Sequence, residues 1–351
     1  MKRSKVIFNR VQLISRIEEI ILEAAKDKKK RPEVRKVLNN IDYYSCRIHD
    51  MLQSGCYELY PVKTTTIFDG RKEREITISP FFPNRILDHV LVDIFKPEIL
   101  KGMYQYCVGN VDGKGILYGK HYTEKQVRRY QYYAKLDIRK FYPSVSAANM
   151  YAFLEHKTKD KKALQLARAV LSQSDSLPIG SYYSQWLSNF YLEDLDHYIK
   201  EDCHAKGYIR YVDDMVIFGD TADELRNICE HVIAYAKEIK HLEIKDDYQI
   251  HKIDSVPLNF LGFKFQRDKT NLRSNIFVKL NKTVQQFHHK KTLLKASRIT
   301  SYLSWLMNTT FGYLYYNRHI KPIIRKGFLR RFLSKFQGGK RCRHLTYQHS
   351  T

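Results

Sequence analysis

The sequence predicts an α+β protein, with an antiparallel sheet carrying helices on one face and a helical C-terminal region after it. Three observations carry this expectation. From residue 133 the hydrophobic patterning runs strand, three helices, two strands, helix, strand. Two apolar strands flank the adjacent Asp213-Asp214, the pattern of a hairpin. Residues 269–351 contain no Asp or Glu, yet their apolar residues recur at helical spacing.

In chain order, periodicity predicts helices near 9–25 and 33–54, joined by a basic run from Lys26 to Lys36 that reads as a solvated loop. Tyr57–Ile67 and Glu73–Ile78 read as strands around an Asp69-Gly70 turn. A helix is expected over Asn84–Leu100, then a Gly-rich loop from Asn110 to Gly115 carrying Lys114. The strand Tyr133–Ile138 ends beside Asp137, and helices follow near 146–156 and 160–173. The turn Ser176–Gln185 feeds a third helix, Trp186–Asp202. Tyr208–Phe218 is the hairpin, with Asp213-Asp214 at its tip. Thr221–Ile239 is a helix capped by Asp220 or Thr221, and Asn259–Phe265 a strand containing a glycine. The last helices are expected near 279–297, 298–317 and 319–336, with a frayed end from Gln337. These parts divide as 1–56, 57–132, 133–268 and 269–351.

Composition narrows the function. With 43% hydrophobic and 13% aromatic residues the chain can bury a core, which excludes disorder throughout. Fifteen Gly and nine Pro exclude collagen-like and low-complexity classes. No apolar run approaches the roughly 20 residues of a membrane span, and no signal-peptide pattern follows the basic start, so no membrane partner is expected. Six scattered cysteines without C-x-x-C spacing suggest a reduced, cytoplasmic protein rather than a zinc or disulfide framework. The net charge is +24, and residues 269–351 supply eighteen Lys and Arg with no acid, leaving only +6 for residues 1–268. Solvated faces normally mix both signs, so an acid-free helical unit points to a phosphate backbone.

Adjacent carboxylates at an apolar hairpin tip raise each other's pKa unless a cation neutralises them. A lone Asp-Asp is more often a turn former, but Tyr211-Val-Asp-Asp214 between apolar strands is far more specific. Asp137, ending another strand, can supply an opposing carboxylate. Three such groups suit two Mg²⁺, one activating a 3′-hydroxyl and one stabilising a leaving pyrophosphate.

These segments resemble the reverse transcriptases. Lys135-Leu-Asp-Ile-Arg-Lys-Phe-Tyr-Pro-Ser144 is similar to their A motif, Leu177-Pro-Ile-Gly-Ser-Tyr-Tyr-Ser-Gln185 to their B motif, Tyr211–Asp214 to their C motif, and Asn259–Phe265 to their primer-grip strand. The resemblance covers about residues 57–268 and implies a right-hand polymerase: an N-terminal helical extension, fingers over 57–132, a palm over 133–268 and a basic thumb and tail over 269–351. It implies Asp137, Asp213 and Asp214 as catalytic metal ligands, with the backbone carbonyl of Ile138, for Mg²⁺ or alternatively Mn²⁺. Tyr142 falls at the sugar gate that favours dNTPs over NTPs, with Phe141 as its buried neighbour. Ile179, Gly180 and Gln185 border the incoming nucleotide. Arg74, with Lys72 as competitor, and Lys114 would reach its triphosphate from the fingers. Phe260, Leu261 and Gly262 would hold the primer. Lys290, Lys291, Arg325, Lys326, Arg330 and Arg331 would grip the template–primer.

The chain departs from the family where Leu-Pro-Gln-Gly is usual: Ile179 replaces the Gln that contacts the nucleotide, and the motif ends in Ser184-Gln185 rather than Ser-Pro. This resembles the enzymes of diversity-generating retroelements, but Ser181-Tyr182-Tyr183 differs from their usual Asn-Leu-Thr. The fingers loop lacks the expected Arg, and Asp247 stands near the place of a Lys general acid, with Lys245, His251 and Lys252 close by. The departures suggest an offshoot such as the antiphage defence enzymes. The implied partners are an RNA template (a cognate noncoding RNA), dNTPs, the cDNA product, and an accessory protein or second copy. Two rival readings are weaker. A catalytically dead RNA-binding maturase-like protein would have lost the three Asp, and an RNA-dependent RNA polymerase resembles Gly-Asp-Asp at the hairpin.

Overall fold

The computed structural model describes residues 6–69 and 72–336. Gly70, the second residue of the expected tight turn, and the expected frayed end from Gln337 lie outside the described residues. The protein is α+β, and the described residues form three sheets. Strands β1 (Lys63–Asp69) and β2 (Lys72–Ile78) form an antiparallel ribbon in which Lys63 faces Ile78 and Ile67 faces Arg74. β3 (Tyr132–Asp137), β4 (Gly207–Tyr211), β5 (Asp214–Gly219) and β6 (Gln249–Lys252) form a sheet in the order β4-β5-β3-β6. β7 (Leu258–Phe260), β8 (Phe263–Phe265) and β9 (Thr270–Leu272) make a third, antiparallel sheet.

The N-terminal expectation resolves into helices Ile14–Ala24, Pro32–Leu38 and Ile41–Ser54. Ile17, Ile20, Ile21 and Ala24 recur at helical spacing and are all buried, and this face packs on the helix Ile41–Ser54. Each buried isoleucine contributes about 1.5–3 kcal/mol. Pro32 opens its helix at the one position where a missing N–H costs nothing. The helix Ile86–Gly102 is apolar on nearly every side and packs against the helix Tyr182–Tyr191. Ile7 and Phe8 are tied inward. Asp160 caps the helix Lys161–Leu171 through the amides of Lys162 and Ala163, and its other oxygen accepts from Ile7 N at 2.8 Å and Phe8 N at 2.9 Å.

Several expectations are corrected. Asn259–Phe265 is not one strand: Leu261 (φ 50°) and Gly262 (φ 82°) turn the chain between β7 and β8, and the resulting sheet is separate from β3–β6. Two positive φ values in succession make a tight hairpin turn, and a Cβ at Gly262 would fall 2.0 Å from Trp305. The third helix after Asp137 starts at Tyr182, not Trp186, and the C-terminal helices break at 290–292, giving Ser274–His289, Leu293–Leu306, Gly312–Tyr315 and Lys326–Phe336. A helix over Ile116–Arg129 and strand β6 went unread.

By packing, the chain forms two units, one of residues 1–115, 134–219 and 223–250, the other of residues 116–133, 220–222 and 251–351. No described helix is long and apolar enough to cross a membrane.

Candidate active site

Asp137 is the last residue of β3, Asp213 lies in the turn of the β4–β5 hairpin, and Asp214 opens β5 opposite Tyr211. β3 and β5 are sheet neighbours, so the three carboxylates come from adjacent strand ends. Burial pushes Asp213 up to about 6, and repulsion from Asp137 and Asp214 adds to the push, against a hydrogen bond from its own backbone amide and the attraction of Lys245. Lys245 Nζ lies 2.7 Å from Asp137 Oδ2, and Lys135 Nζ lies 3.1 Å from Asp214 Oδ1. Among the described residues no three His, Cys, Asp or Glu side chains are gathered as a metal cluster. The donor set nonetheless suits a hard cation, since mutually repelling carboxylates already hold two ammonium groups.

The position of Lys245 follows from the backbone. Ile138 and Ile244 form an antiparallel bridge, Arg139 N donates to Glu243 O at 2.7 Å, and Lys245 N donates to Asp137 O at 2.9 Å. The segment 243–245 therefore runs alongside the end of β3. Of the cations near the expected general-acid place, this geometry brings Lys245 to the carboxylates.

Tyr142 is brought to the same place. Its hydroxyl is bonded with Ser188 and Asn110, and burial together with the charge of Asp213 pushes it up. Phe141 beside it is buried, with ring centroids 5.5 Å apart. Ile179 is half-buried, and its carbonyl accepts from Thr77 N at 2.8 Å, which joins the 176–185 turn to β2. Gly180 (φ 109°) makes that contact possible, because a Cβ there would fall 2.8 Å from Ile76 Cγ2 and from Thr77 O. Gln185 is exposed at the start of the helix that follows. Arg74 is exposed on β2, three residues before Thr77. Lys114 is turned back on its own loop, donating to Gln105 O at 2.7 Å, and burial pushes it down.

The remaining expected contacts fall in the other unit. Phe260 and Leu261 are buried, and Gly262 lies against Trp305. Lys290 and Lys291 are exposed between two helices, with Lys291 Nζ 5.3 Å from the Phe328 ring centre. Arg325, Arg330 and Arg331 are exposed, and Lys326 lies over Tyr316 at 5.1 Å.

Sequence reading missed the network behind the Val212-Asp213 turn. Arg210 and Asp196 are both fully buried. Arg210 Nε donates to Asp196 Oδ1 at 2.7 Å and Nη2 to Oδ2 at 2.6 Å, a bidentate pair. Arg210 Nη1 donates to Asn189 Oδ1 at 3.0 Å and to Val212 O at 2.9 Å. Val212 has φ 58°, costly for a β-branched residue, and it is the residue before Asp213. Asn189 Nδ2 donates to Gly109 O at 2.7 Å, and a Cβ on Gly109 would fall 2.6 Å from Val212 N. The strained turn is therefore held from below by a buried guanidinium and from the side by a bare backbone. The available signal was Arg210 itself, a charge inside an apolar strand.

No curated protein matches the chain. A family model described as reverse transcriptase (RNA-dependent DNA polymerase) matches residues 76–265, more than half of the 351 residues, and spans Asp137, Tyr142, Ile179, Asp213 and Lys245. With its carboxylates on adjacent strand ends and this match across them, the chain belongs to the reverse transcriptase family and is an RNA-directed DNA polymerase, a nucleotidyltransferase.

Proposed function

We propose that the chain copies a dedicated, structured noncoding RNA into cDNA as part of an antiphage defence system, with a fingers–palm–thumb division at 57–132, 133–268 and 269–351. The observation that carries the catalytic part is that Asp137 and Asp214 both repel Asp213 across adjacent strand ends, with Tyr142 within reach of the same charge. Asp137 and Asp213, supported by Asp214 and the carbonyl of Ile138, would hold two divalent cations, Mg²⁺ or alternatively Mn²⁺. When bound, these supply activation of the 3′-hydroxyl and charge stabilisation at the pyrophosphate. Around them, Lys245 and Lys135 balance the carboxylate charge. The ring of Tyr142, whose hydroxyl is held by Ser188 and Asn110, would sit under the ribose and obstruct a 2′-hydroxyl. Ile179 meets the nascent base pair by shape alone, since it has no amide to donate. The exposed Lys and Arg of 290–331 track the phosphates of the duplex just made.

Primer extension with dNTPs and with NTPs, on wild type and Asp213→Ala, tests the catalytic reading. Incorporation of dNTPs by wild type alone supports it. Preference for NTPs, or equal rates in the two proteins, would sink it. The defence role rests on the departures at Ser181-Tyr182-Tyr183 and at Lys114, and Ile179 alone favours a second reading, mutagenic diversification. The neighbouring genes separate the two: a variable-repeat target gene indicates diversification, a defence island indicates immunity. Looser base selection is expected from Ile179, and an error rate unchanged in Ile179→Gln would refute it.

A further inference from the structure

Outside the carboxylate site, the first unit carries a second concentration of positive charge. Residues 26–36 hold seven Lys and Arg against two acids, so they account for five of the six net charges of residues 1–268. The end of this run, Lys36, borders an open groove of about 380 Å³ built from the helices Pro32–Leu38 and Ile41–Ser54, the chain entering β1, and the segment leaving β2. That volume is within the range of small-ligand clefts. Half of its lining is aromatic, Tyr43, Tyr44, Tyr60, Phe81 and Phe82, with Lys36 and Arg47 among them and Glu33 as the one acid.

Two of these rings are unusually open. Tyr43 is 57% exposed and Tyr60 52%, whereas Phe81 at the floor is buried. The platform is rigid. Tyr44 packs edge-on against Phe82 at 4.8 Å and against Tyr43 at 5.2 Å. Buried Asn84 clamps the backbone of Tyr60 from both sides, accepting from Tyr60 N at 3.0 Å and donating to Tyr60 O at 2.7 Å. No lining residue belongs to the carboxylate site.

Open aromatic faces beside a basic stripe are the combination that binds single-stranded nucleic acid, in which bases stack on rings and phosphates meet cations. The groove's aliphatic residue, Val37, is 3% exposed, so what the groove offers a ligand is chiefly rings and the cations Lys36 and Arg47. We propose that this groove is a base-stacking site for single-stranded RNA, with bases on Tyr43 and Tyr60 and the backbone along Lys36, Arg47 and the 26–31 run. It would hold an unpaired stretch of RNA away from the reacting end. The proposal rests on the reading that this polymerase handles a long RNA, though not on its biological role.

The test uses the full chain and a single-stranded oligouridylate carrying 4-thiouridine, with excess RNA–DNA duplex present to occupy the other basic surfaces. Long-wavelength irradiation followed by peptide mapping is expected to place adducts on Tyr43 or Tyr60. The double variant Tyr43→Ala/Tyr60→Ala is expected to bind the oligonucleotide roughly tenfold or more weakly, at the scale of base stacking on an aromatic ring. Both side chains are exposed, so folding is preserved, and unchanged thermal unfolding checks this. Adducts confined to other segments, or unchanged affinity, overturn the proposal and leave the groove to a protein partner. Extension of a short primer–template by wild type reads the enzymatic function separately, so a failure of that reading is distinguishable.

Discussion

The hairpin that carries Asp213 and the basic helices after residue 269 handle charge in opposite ways. Behind the hairpin, Arg210 is sealed from water and matched atom by atom with Asp196, Asn189 and Val212 O. In 269–351 eighteen cations have no acid of their own segment to pair with, and those at Lys291 and Lys326 lie over aromatic rings instead. A buried ion pair is dear to assemble and strongly destabilising to break, so it fixes geometry. Exposed unpaired cations do almost nothing for the fold and leave their charge available to a polyanion. The first arrangement specifies a position, the second an attraction.

The sharpest way to break this contrast is at the carboxylates. Asp213→Ala is expected to reduce single-turnover incorporation by at least about a thousandfold, while template–primer affinity stays near wild type if, as proposed, the basic helices carry the binding. Comparable loss of both would erase the distinction.

Next comes the buried pair. Arg210→Met leaves buried Asp196 without its countercharge, with the Tyr208 hydroxyl at 2.7 Å still donating to it, and is expected to cost about 3–5 kcal/mol in denaturant unfolding. Adding Asp196→Leu is expected to recover most of that stability without recovering kcat, since Val212 O still lacks its donor. Full recovery of kcat would show that the pair only fills space.

A third prediction uses pH. Burial pushes Asp88 up to about 7, with Arg85 opposing. The unfolded chain releases this proton near pH 4, so the native state binds more protons between about pH 4 and pH 7 and loses stability as pH rises through that window. The loss is up to about 4 kcal/mol at 1.36 kcal/mol per unit. Asp88→Asn is expected to flatten the profile, and an unchanged slope would refute the assignment.

The smallest effect is on the basic side. Neutralising Arg325, Lys326, Arg330 and Arg331 is expected to leave unfolding within about 0.5 kcal/mol of wild type. It should lower the slope of log affinity against log salt by just under one unit for each phosphate that no longer meets a cation. A large stability change with an unchanged slope would reverse the roles of the two regions.

What was legible in the sequence was what is local. Asp137, Tyr142, Asp213 and Asp214 stand in short runs that resemble family motifs, and the structure sets the other three within electrostatic reach of Asp213. The acid-free segment was visible by counting. Arg210's partner Asp196 was not, because fourteen residues and a change of element separate them. The turn at Leu261-Gly262 hid because Leu has no preference for positive φ, so a single glycine looked like a flaw in one strand. The helix Ile116–Arg129 hid because Lys120, Thr123 and Gln126, polar by composition, lie on its buried side. Lys245 reached Asp137 through a bridge between Ile138 and Ile244 that no periodicity announces.

The bond from Asp160 to the amides of Ile7 and Phe8 sets an order of events during synthesis. Ile7 and Phe8 find their carboxylate partner only after residue 160 has followed them, and the unit they belong to draws on segments as far as residue 250. At about 5–20 residues per second that unit stays incomplete for roughly 10–50 s. Through that interval the apolar face of Ile17, Ile20 and Ile21 has only its nearest helices to cover it.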